Sequence, residues 1–348
     1  MRRLPIHVPG LTAALLAAAV SLVLPVIAVL CAQPSFAQTS SAQSGPNAAA
    51  AAALSAGEAD KALALLLSPP ASGPDAALAH NLICRVRFTL EQFDAAAAEC
   101  EQAVKLDAEN SNFHLWLGRA LGERAARASF LTAFGLAKRT RAEFEEAVRL
   151  DPRNAEALSS LGEFDRQAPG IVGGGVDKAR QIAAQLDKVD PTRAHDLRAK
   201  IAEQEKDFAQ AESEFKLETA GPHPAPGWAA LAGFYFRRQR YSDMESAMHN
   251  VLSAAPHDRR GPGALYDAAG QLIEANRDPA LAASMIEEYL NSSAKSEEAP
   301  AFIAELRLAK LKQQAGDSAG ANKERTDAAA LAHSYKPAPD RRPPDVKQ

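Results

Sequence analysis

The chain has 348 residues, of which 47% are hydrophobic, 24% are charged and 6% are aromatic. Alanine makes up roughly a fifth of the chain, and alanine favours helices whereas strands favour β-branched and aromatic residues. The formal charge of −4 excludes the basic footprint of a nucleic-acid-binding protein. Three cysteines are too few for a disulfide framework or a four-cysteine zinc site. The composition therefore predicts a soluble, helical protein.

The N-terminus has the pattern of a secretory signal. Arg2 and Arg3 precede an apolar stretch at residues 11–32, and small residues lead up to Ala37. We expect residues 1–37 to be a signal peptide that is cleaved after Ala37, which predicts a periplasmic or secreted protein. The alternative is an uncleaved inner-membrane anchor, because the apolar stretch is long enough to span a bilayer.

The rest of the chain divides by composition. Residues 38–46 are rich in Ser and Gln and predict a flexible linker. Residues 336–348 are rich in proline and charge, which predicts a disordered tail. Between them, residues 47–335 carry repeated amphipathic patterns, and no later apolar run is long enough to cross a membrane. Once the signal is removed, the protein should have no membrane span.

A repeat of about 34 residues organises the middle of the chain. Its fullest copy places six residues at the spacings of one pattern: Trp228, Leu231, Ala232, Tyr235, Tyr241 and Pro256. Partial copies surround Trp116-Leu117-Gly118 and Leu161-Gly162. The pattern resembles the tetratricopeptide repeat, W-x2-L-G-x2-Y followed by A-x3-F and P. The combination of repeats and insertions is similar to bacterial exported repeat proteins without an assigned activity.

The resemblance implies an all-α fold: an α-solenoid of antiparallel helix hairpins, with about seven or eight units. One hairpin cannot bury its apolar stripe alone, so neighbours stack and share a core. Gly118 and Gly162 would let helix backbones approach closely, and the Trp, Leu and Tyr residues of the motif would be core. The inner groove of such a superhelix suits a partner peptide or helix. We therefore predict a protein-interaction scaffold rather than an enzyme.

The predicted inner groove carries a small set of polar residues. Asn81 and Arg85 lie one helical turn apart, which places them on one helix face. Arg119 stands at the matching place in the next unit, and Lys310 does so in the last unit. Repeat domains of this family that bind a partner's C-terminal carboxylate use Asn and basic residues on this surface, although the full set is not matched here. We predict a basic inner wall that accepts acidic segments; ordinary solvated arginines are the alternative.

Two segments depart from the repeat. The first is a lengthened unit that contains Phe130 and Phe134. Longer helices that bury these aromatic rings are the favoured interpretation, and a protruding apolar edge that holds a partner is the other. The second is a glycine-rich insertion at residues 168–175, for which we favour a shaped connecting loop that lines the groove. Its spacing does not match a phosphate-binding loop, so an enzyme with a site near Gly173 is the least favoured alternative.

The sequence contains few other candidates for a catalytic, metal or cofactor site. The eight histidines are scattered, and no zinc, nucleophile-elbow or dinucleotide motif occurs. We predict no catalytic residue, no cofactor and no metal. Cys84 and Cys100 fall on opposing helices of one hairpin, where export would permit a disulfide. Two buried thiols are the favoured interpretation of this pair, and a bridge is the alternative.

Overall fold

The computed structural model describes residues 45–68, 72–293 and 295–336. The predicted signal peptide, nearly all of the predicted linker and the tail beyond Lys336 lie outside the described residues. The described residues contain sixteen α-helices and no strand. No helix among them is both long enough and apolar enough to cross a membrane.

The helices form eight consecutive antiparallel pairs, which confirms the predicted all-α solenoid and its number of units. Their bounds are α1 Pro46–Ser55, α2 Ala59–Leu67, α3 Ala76–Thr89, α4 Phe93–Leu106, α5 Ser111–Arg127, α6 Phe130–Leu150, α7 Ala155–Gln167, α8 Val176–Leu186, α9 Pro191–Gln204, α10 Phe208–Thr219, α11 Pro224–Arg237, α12 Tyr241–Ala254, α13 Gly261–Glu274, α14 Pro279–Asn291, α15 Ala301–Gln314 and α16 Ser318–Leu331.

Local sequence explains where these helices begin. Asn110 and Asn154 accept hydrogen bonds from the backbone N–H groups of Asn112 and Ala157, at 3.1 and 3.0 Å, and so cap α5 and α7. Helices α9, α11 and α14 start with a proline, whose missing N–H is not needed in the first turn. Each cap satisfies a backbone group that the helix itself leaves without a partner.

Six of the eight pairs share one kind of turn. A residue with positive φ connects the two helices of each, and the six residues are Gly57, Glu91, Lys206, Gln239, Asn276 and Gly316. The exceptions are the pair α5/α6, whose helices have 17 and 21 residues, and the pair α7/α8, which contains the glycine-rich insertion. The two departures in the sequence are therefore the two places where the repeated turn is replaced.

The helices pack as closely as the motif predicts. Leu231, Ala232 and Tyr235 are buried in α11, and Trp116 is buried in α5. A Cβ atom on Gly118 would lie 2.5 Å from the Phe144 ring, which shows how near α6 approaches α5. Small residues are thus required wherever two helices cross at this distance.

The two ends of the solenoid meet. Phe302 of α15 belongs to the same core as Leu54 of α1 and Leu82 of α3. The Lys295 N–H donates to the Ser55 carbonyl at 2.8 Å, and the Ser334 N–H donates to Asp60 Oδ2 at 3.2 Å. The superhelix is therefore closed, and the face lined by the first helix of each pair becomes an internal space. The repeat pattern does not predict this closure.

Cys84 and Cys100 are joined by a disulfide that ties α3 to α4, with their Cα atoms 5.3 Å apart. Both residues are fully buried. The favoured interpretation of two separate thiols is therefore wrong for this structure. The opposing register of the two helices brings the sulfur atoms into bonding distance.

The glycine contact gives a first prediction. Gly118→Ala should lower the free energy of unfolding by about 1–3 kcal/mol, because the new methyl group overlaps the Phe144 ring. Gly135→Ala is the matched control, since that helical glycine has open space around its Cβ position and should gain up to about 1 kcal/mol from helix propensity. Urea denaturation of both variants measures the difference, and equal changes would contradict the packing argument.

The disulfide gives a second prediction. The oxidised protein should be two daltons lighter than the reduced protein, and reduction should lower the free energy of unfolding by about 3 kcal/mol for a loop of this size. Mass spectrometry and thermal melting, each with and without reductant, measure both quantities. Cys84→Ser/Cys100→Ser should melt at the same temperature in either condition, and a wild type equally insensitive to reductant would refute the bridge.

Candidate functional site

The closed superhelix surrounds three connected cavities of about 920, 920 and 580 Å³. Their walls come chiefly from the first helices of the pairs, as the repeat architecture predicts. We call the largest two the Trp116 cavity and the Tyr266 cavity after an aromatic residue that lines each one. The third lies beside Phe144. Glu298 lines all three and so stands where they meet.

The predicted residues Asn81, Arg85 and Arg119 come together in the wall of the Trp116 cavity. The guanidinium groups of Arg85 and Arg119 lie over the Trp116 ring, with their central carbons 5.2 and 4.7 Å from its centroid. Trp116 is only 7% exposed, so it is a core residue that also orients two cations. The repeat motif predicts only the core role of this tryptophan.

Both arginines are occupied by an acidic segment of the same chain. We call residues 295–300, between α14 and α15, the inner loop. Arg85 Nε donates to Glu297 Oε2 at 2.9 Å, and Arg85 Nη2 donates to the other oxygen of that carboxylate. Arg119 Nη1 lies 3.3 Å from Glu298 Oε1, while Arg119 Nη2 donates to Glu156. The basic wall predicted to accept acidic segments therefore holds one from its own chain.

The inner loop is fastened at its base by Tyr289. The Tyr289 hydroxyl donates to the Ala299 carbonyl and accepts from the Ser296 N–H at 3.1 Å. Tyr289 is fully buried in α14, so this end of the loop belongs to the core. The tip is bonded to the opposite end of the solenoid by polar groups of Ser55, Arg85 and Arg119. The loop thus bridges the first and last repeats.

Several buried polar atoms that line the cavities have no hydrogen-bond partner. Asn81 is 2% exposed and its amide nitrogen is unpaired in the wall of the Trp116 cavity. Three side-chain oxygen atoms are unpaired around the Tyr266 cavity: the Thr192 hydroxyl, one Glu218 carboxylate oxygen and the Gln271 side-chain amide oxygen. Burial raises the pKa of Glu218 well above its ordinary value. Each of these atoms is buried within the cavity wall, where an unpaired polar group is uncommon.

The surrounding protein shifts the pKa values of charged groups that line the cavities. For Arg85, burial lowers the pKa, but the hydrogen bond and the negative charge of Glu297 outweigh burial, so that the pKa is raised overall. Asp267 lines the Tyr266 cavity, where its side chain is exposed, and the surrounding protein partly buries it away from bulk water. That burial, together with the nearby charge of Glu298, raises the pKa of Asp267 to about 6. The ionised form of Asp267 is therefore less stable than that of a carboxylate on the outer surface.

Lys310 does not join the other predicted residues. It is exposed and lines none of the three cavities, because it lies one helical turn beyond the inward-facing part of α15. Arg307 takes that place: it lines the Tyr266 cavity, with its guanidinium carbon 4.2 Å from the centroid of the Tyr266 ring. The sequence assigned the correct helix to the groove but the wrong residue on it.

The lengthened pair α5/α6 exposes part of its apolar surface. Phe130 and Leu131 are each 84% exposed at the start of α6, so the favoured interpretation of buried aromatic rings is wrong for this end. Phe134 is half-buried, and Lys138 Nζ lies 4.5 Å from the centroid of its ring. Exposed apolar groups of this size are typical of contact surfaces, so this edge stays a predicted partner contact.

The glycine-rich insertion is a structural connection. Gly173 has a φ of +101°, and a Cβ atom there would lie 2.8 Å from the Arg141 side chain of α6. Lys178 Nζ donates to the Gly173 carbonyl at 2.6 Å, so this lysine is used within the loop itself. Residues 168–175 line none of the three cavities, which corrects the expectation that the insertion lines the groove.

One cluster of carboxylates was not predicted. The side chains of Glu305, Glu324 and Asp327 have oxygen atoms within 4.8 Å of one another. Burial, reinforced by a hydrogen bond with Glu324, raises the pKa of Glu305 to about 8, and Lys312 Nζ donates to Glu324 at 2.8 Å. The raised pKa of Glu305 and the contact with Lys312 both reduce the net negative charge of this cluster. Its residues line none of the three cavities.

Among known proteins, the mouse Superkiller complex protein 3 is similar to this chain. It is 28% identical over 222 residues, which cover 60% of this chain and 13% of the relative. The chain thus spans a small part of the relative's length. A scan of protein-family models found no match.

Three solved structures are similar to this chain. A thermophilic TPR protein of Thermus thermophilus is 16% identical with a TM-score of 0.43, covering 51% of this chain and 90% of its own. A tetratricopeptide repeat protein of Parabacteroides merdae is 13% identical with a TM-score of 0.44, covering 77% and 97%. The human IFIT1 dimer with PPP-AAAA is 14% identical with a TM-score of 0.42, covering 80% and 69%.

The environment of Asp267 gives a third prediction. Its pKa of about 6 lies above its ordinary value of 3.8, so its ionised form costs stability above pH 6. Asp267→Asn should therefore raise the free energy of unfolding at pH 7.5, and the gain should shrink as the pH falls through 6 towards 4. Urea denaturation at pH 7.5 and pH 4.5 measures this. A gain of the same size at both pH values would show that ionisation is not the cause.

Proposed function

We propose that this protein is an exported, non-enzymatic scaffold that holds an acidic segment of a partner protein inside a closed superhelix of helix pairs. The observation that carries the proposal is the pairing of Arg85 and Arg119 with two adjacent carboxylates, Glu297 and Glu298. A protein segment with the same two charges would meet the same two guanidinium groups. Trp116 supports both cations from below, because each guanidinium lies over its ring.

The chemistry of the cavities favours a peptide over other ligands. The walls combine fixed cations, unpaired amide and hydroxyl groups and aromatic faces, which suit backbone carbonyls and carboxylates together. The overall negative charge disfavours nucleic acid as the partner.

Export is the second part of the proposal. It is supported by the basic start, the apolar stretch at residues 11–32 and the small residues before Ala37. A disulfide between Cys84 and Cys100 suits an oxidising compartment, which the periplasm or the outside of the cell provides. N-terminal sequencing of the mature protein tests this part: a chain that begins at Gln38 supports export, and one that retains residues 11–32 supports the membrane-anchored alternative.

The partner-binding part gives a fourth prediction. Arg85→Glu/Arg119→Glu should abolish crosslinking of the native partner in intact cells, because two attractive contacts become repulsive. Lys310→Glu/Arg325→Glu is the matched control, since both residues are exposed, line none of the three cavities and carry the same total charge. Crosslinking followed by mass spectrometry identifies the partner in each strain. Unchanged crosslinking of the same partner in the first variant would refute binding at this site.

A further inference from the structure

The inner loop has the chemistry that the proposed site would recognise in a partner. We propose that the inner loop is an intramolecular ligand, which competes with the partner's acidic segment for Arg85 and Arg119. This inference rests on the proposed function and adds the regulation of the same site. In the resting protein, the Ser-Glu-Glu sequence of the inner loop occupies the two arginines. A partner segment with two adjacent carboxylates displaces that sequence.

The main contact of the inner loop joins residues that are far apart in the sequence. Arg85 and Glu297 are 212 residues apart in sequence, and the pair between them uses both carboxylate oxygens. The Glu297 side chain is only 12% exposed, whereas the Glu298 side chain is 63% exposed and its contact with Arg119 is longer. One carboxylate is therefore seated in the wall, and the second is open to exchange with solvent or with a ligand.

The two parts of the loop are held by different forces. Its base is tied to the core through Tyr289 and the buried Ala299. Its tip contacts the first repeats through the Lys295 N–H and the carboxylates of Glu297 and Glu298. Ser296 donates to Tyr289 and belongs to the base. Ion pairs and polar contacts of this kind can be exchanged for equivalent contacts with a ligand, at little net cost to the fold. The tip can therefore leave the arginines while the base and the core stay in place.

The position of the tip explains what its release would achieve. Glu298 stands where the three cavities meet, so withdrawal of the tip removes this side chain from their junction. Withdrawal also frees Arg85 and leaves Arg119 paired with Glu156 alone. A protein whose binding-competent state is only partly populated has its affinity reduced by that fraction. The loop would thus lower the affinity of the site for its ligands, so that only a segment carrying both carboxylates binds well enough to displace it.

A defined peptide tests the competition. The probe is a fluorescently labelled, acetylated peptide with the sequence of residues 295–300, Lys-Ser-Glu-Glu-Ala-Pro, and its partner probe has glutamine at both glutamate positions. Fluorescence anisotropy measures the dissociation constant for wild type and for Glu297→Ala/Glu298→Ala. We expect the variant to bind the acidic peptide about tenfold more tightly than wild type, because the two carboxylates that compete with the peptide are gone. The glutamine peptide should bind neither protein.

The matched control is Glu101→Ala/Glu205→Ala, which removes two carboxylates from ion pairs outside the three cavities. It should bind the acidic peptide as wild type does. Circular dichroism and thermal melting check that each variant is folded. Hydrogen exchange on the wild-type protein gives a measurement without substitutions. The Lys295 amide donates to the Ser55 carbonyl of the first pair, so it should exchange faster when the acidic peptide is bound.

The outcomes separate the two proposals. Equal affinity of wild type and the loop variant, with binding lost in Arg85→Glu/Arg119→Glu, would overturn the competition and keep the proposed site. Unchanged hydrogen exchange at the loop during peptide binding would overturn the competition as well. Absence of binding to every variant, including the loop variant, would overturn the proposed acidic-segment site and this inference together.

Discussion

The structure depends on the contact between its two ends. Each helix pair has an apolar face that it cannot bury alone, and in an open solenoid the first and last pairs would leave such faces in water. Here Phe302 fills the space beside Leu54 and Leu82, so the last pair covers the first. Closure removes two solvent-exposed ends. It also changes a curved groove into an internal space with three cavities, each of which Glu298 lines.

Closure also sets the electrostatics of the site. The pKa of Asp267 and the pKa of Glu218 are both raised, because the protein around these two residues of the Tyr266 cavity removes them from bulk water. In the same space, an arginine gains more from a carboxylate than it would on the outer surface. The same enclosure therefore favours pairing of Arg85 with whichever carboxylate reaches it, from the loop or from a partner.

Local sequence predicts the repeats well and the site only in part. Motif residues such as Leu231, the spacing of Gly118 and the capping asparagines report contacts within one or two units, and these contacts recur with the repeat. Asn81, Arg85 and Arg119 were found because one helix face can be read from spacing. Lys310 was misplaced because the register of the last, degenerate unit is poorly marked. The contact of Glu297 with Arg85 joins residues 212 positions apart, and no local pattern records it.

The position of the inner loop follows from the same repeats. Within most pairs a short turn joins the two helices, whereas the longer connection from α14 to α15 lines the cavities before Phe302 docks on the first pair. The chain that closes the superhelix is therefore also the chain that enters its cavity. Because Tyr289 fixes the base of this connection, its acidic tip is delivered to Arg85 and Arg119 whenever the ends are joined. The connection from α14 to α15 therefore accounts both for closure of the superhelix and for occupation of the basic wall. Release of its tip requires only that the polar contacts of the tip be replaced.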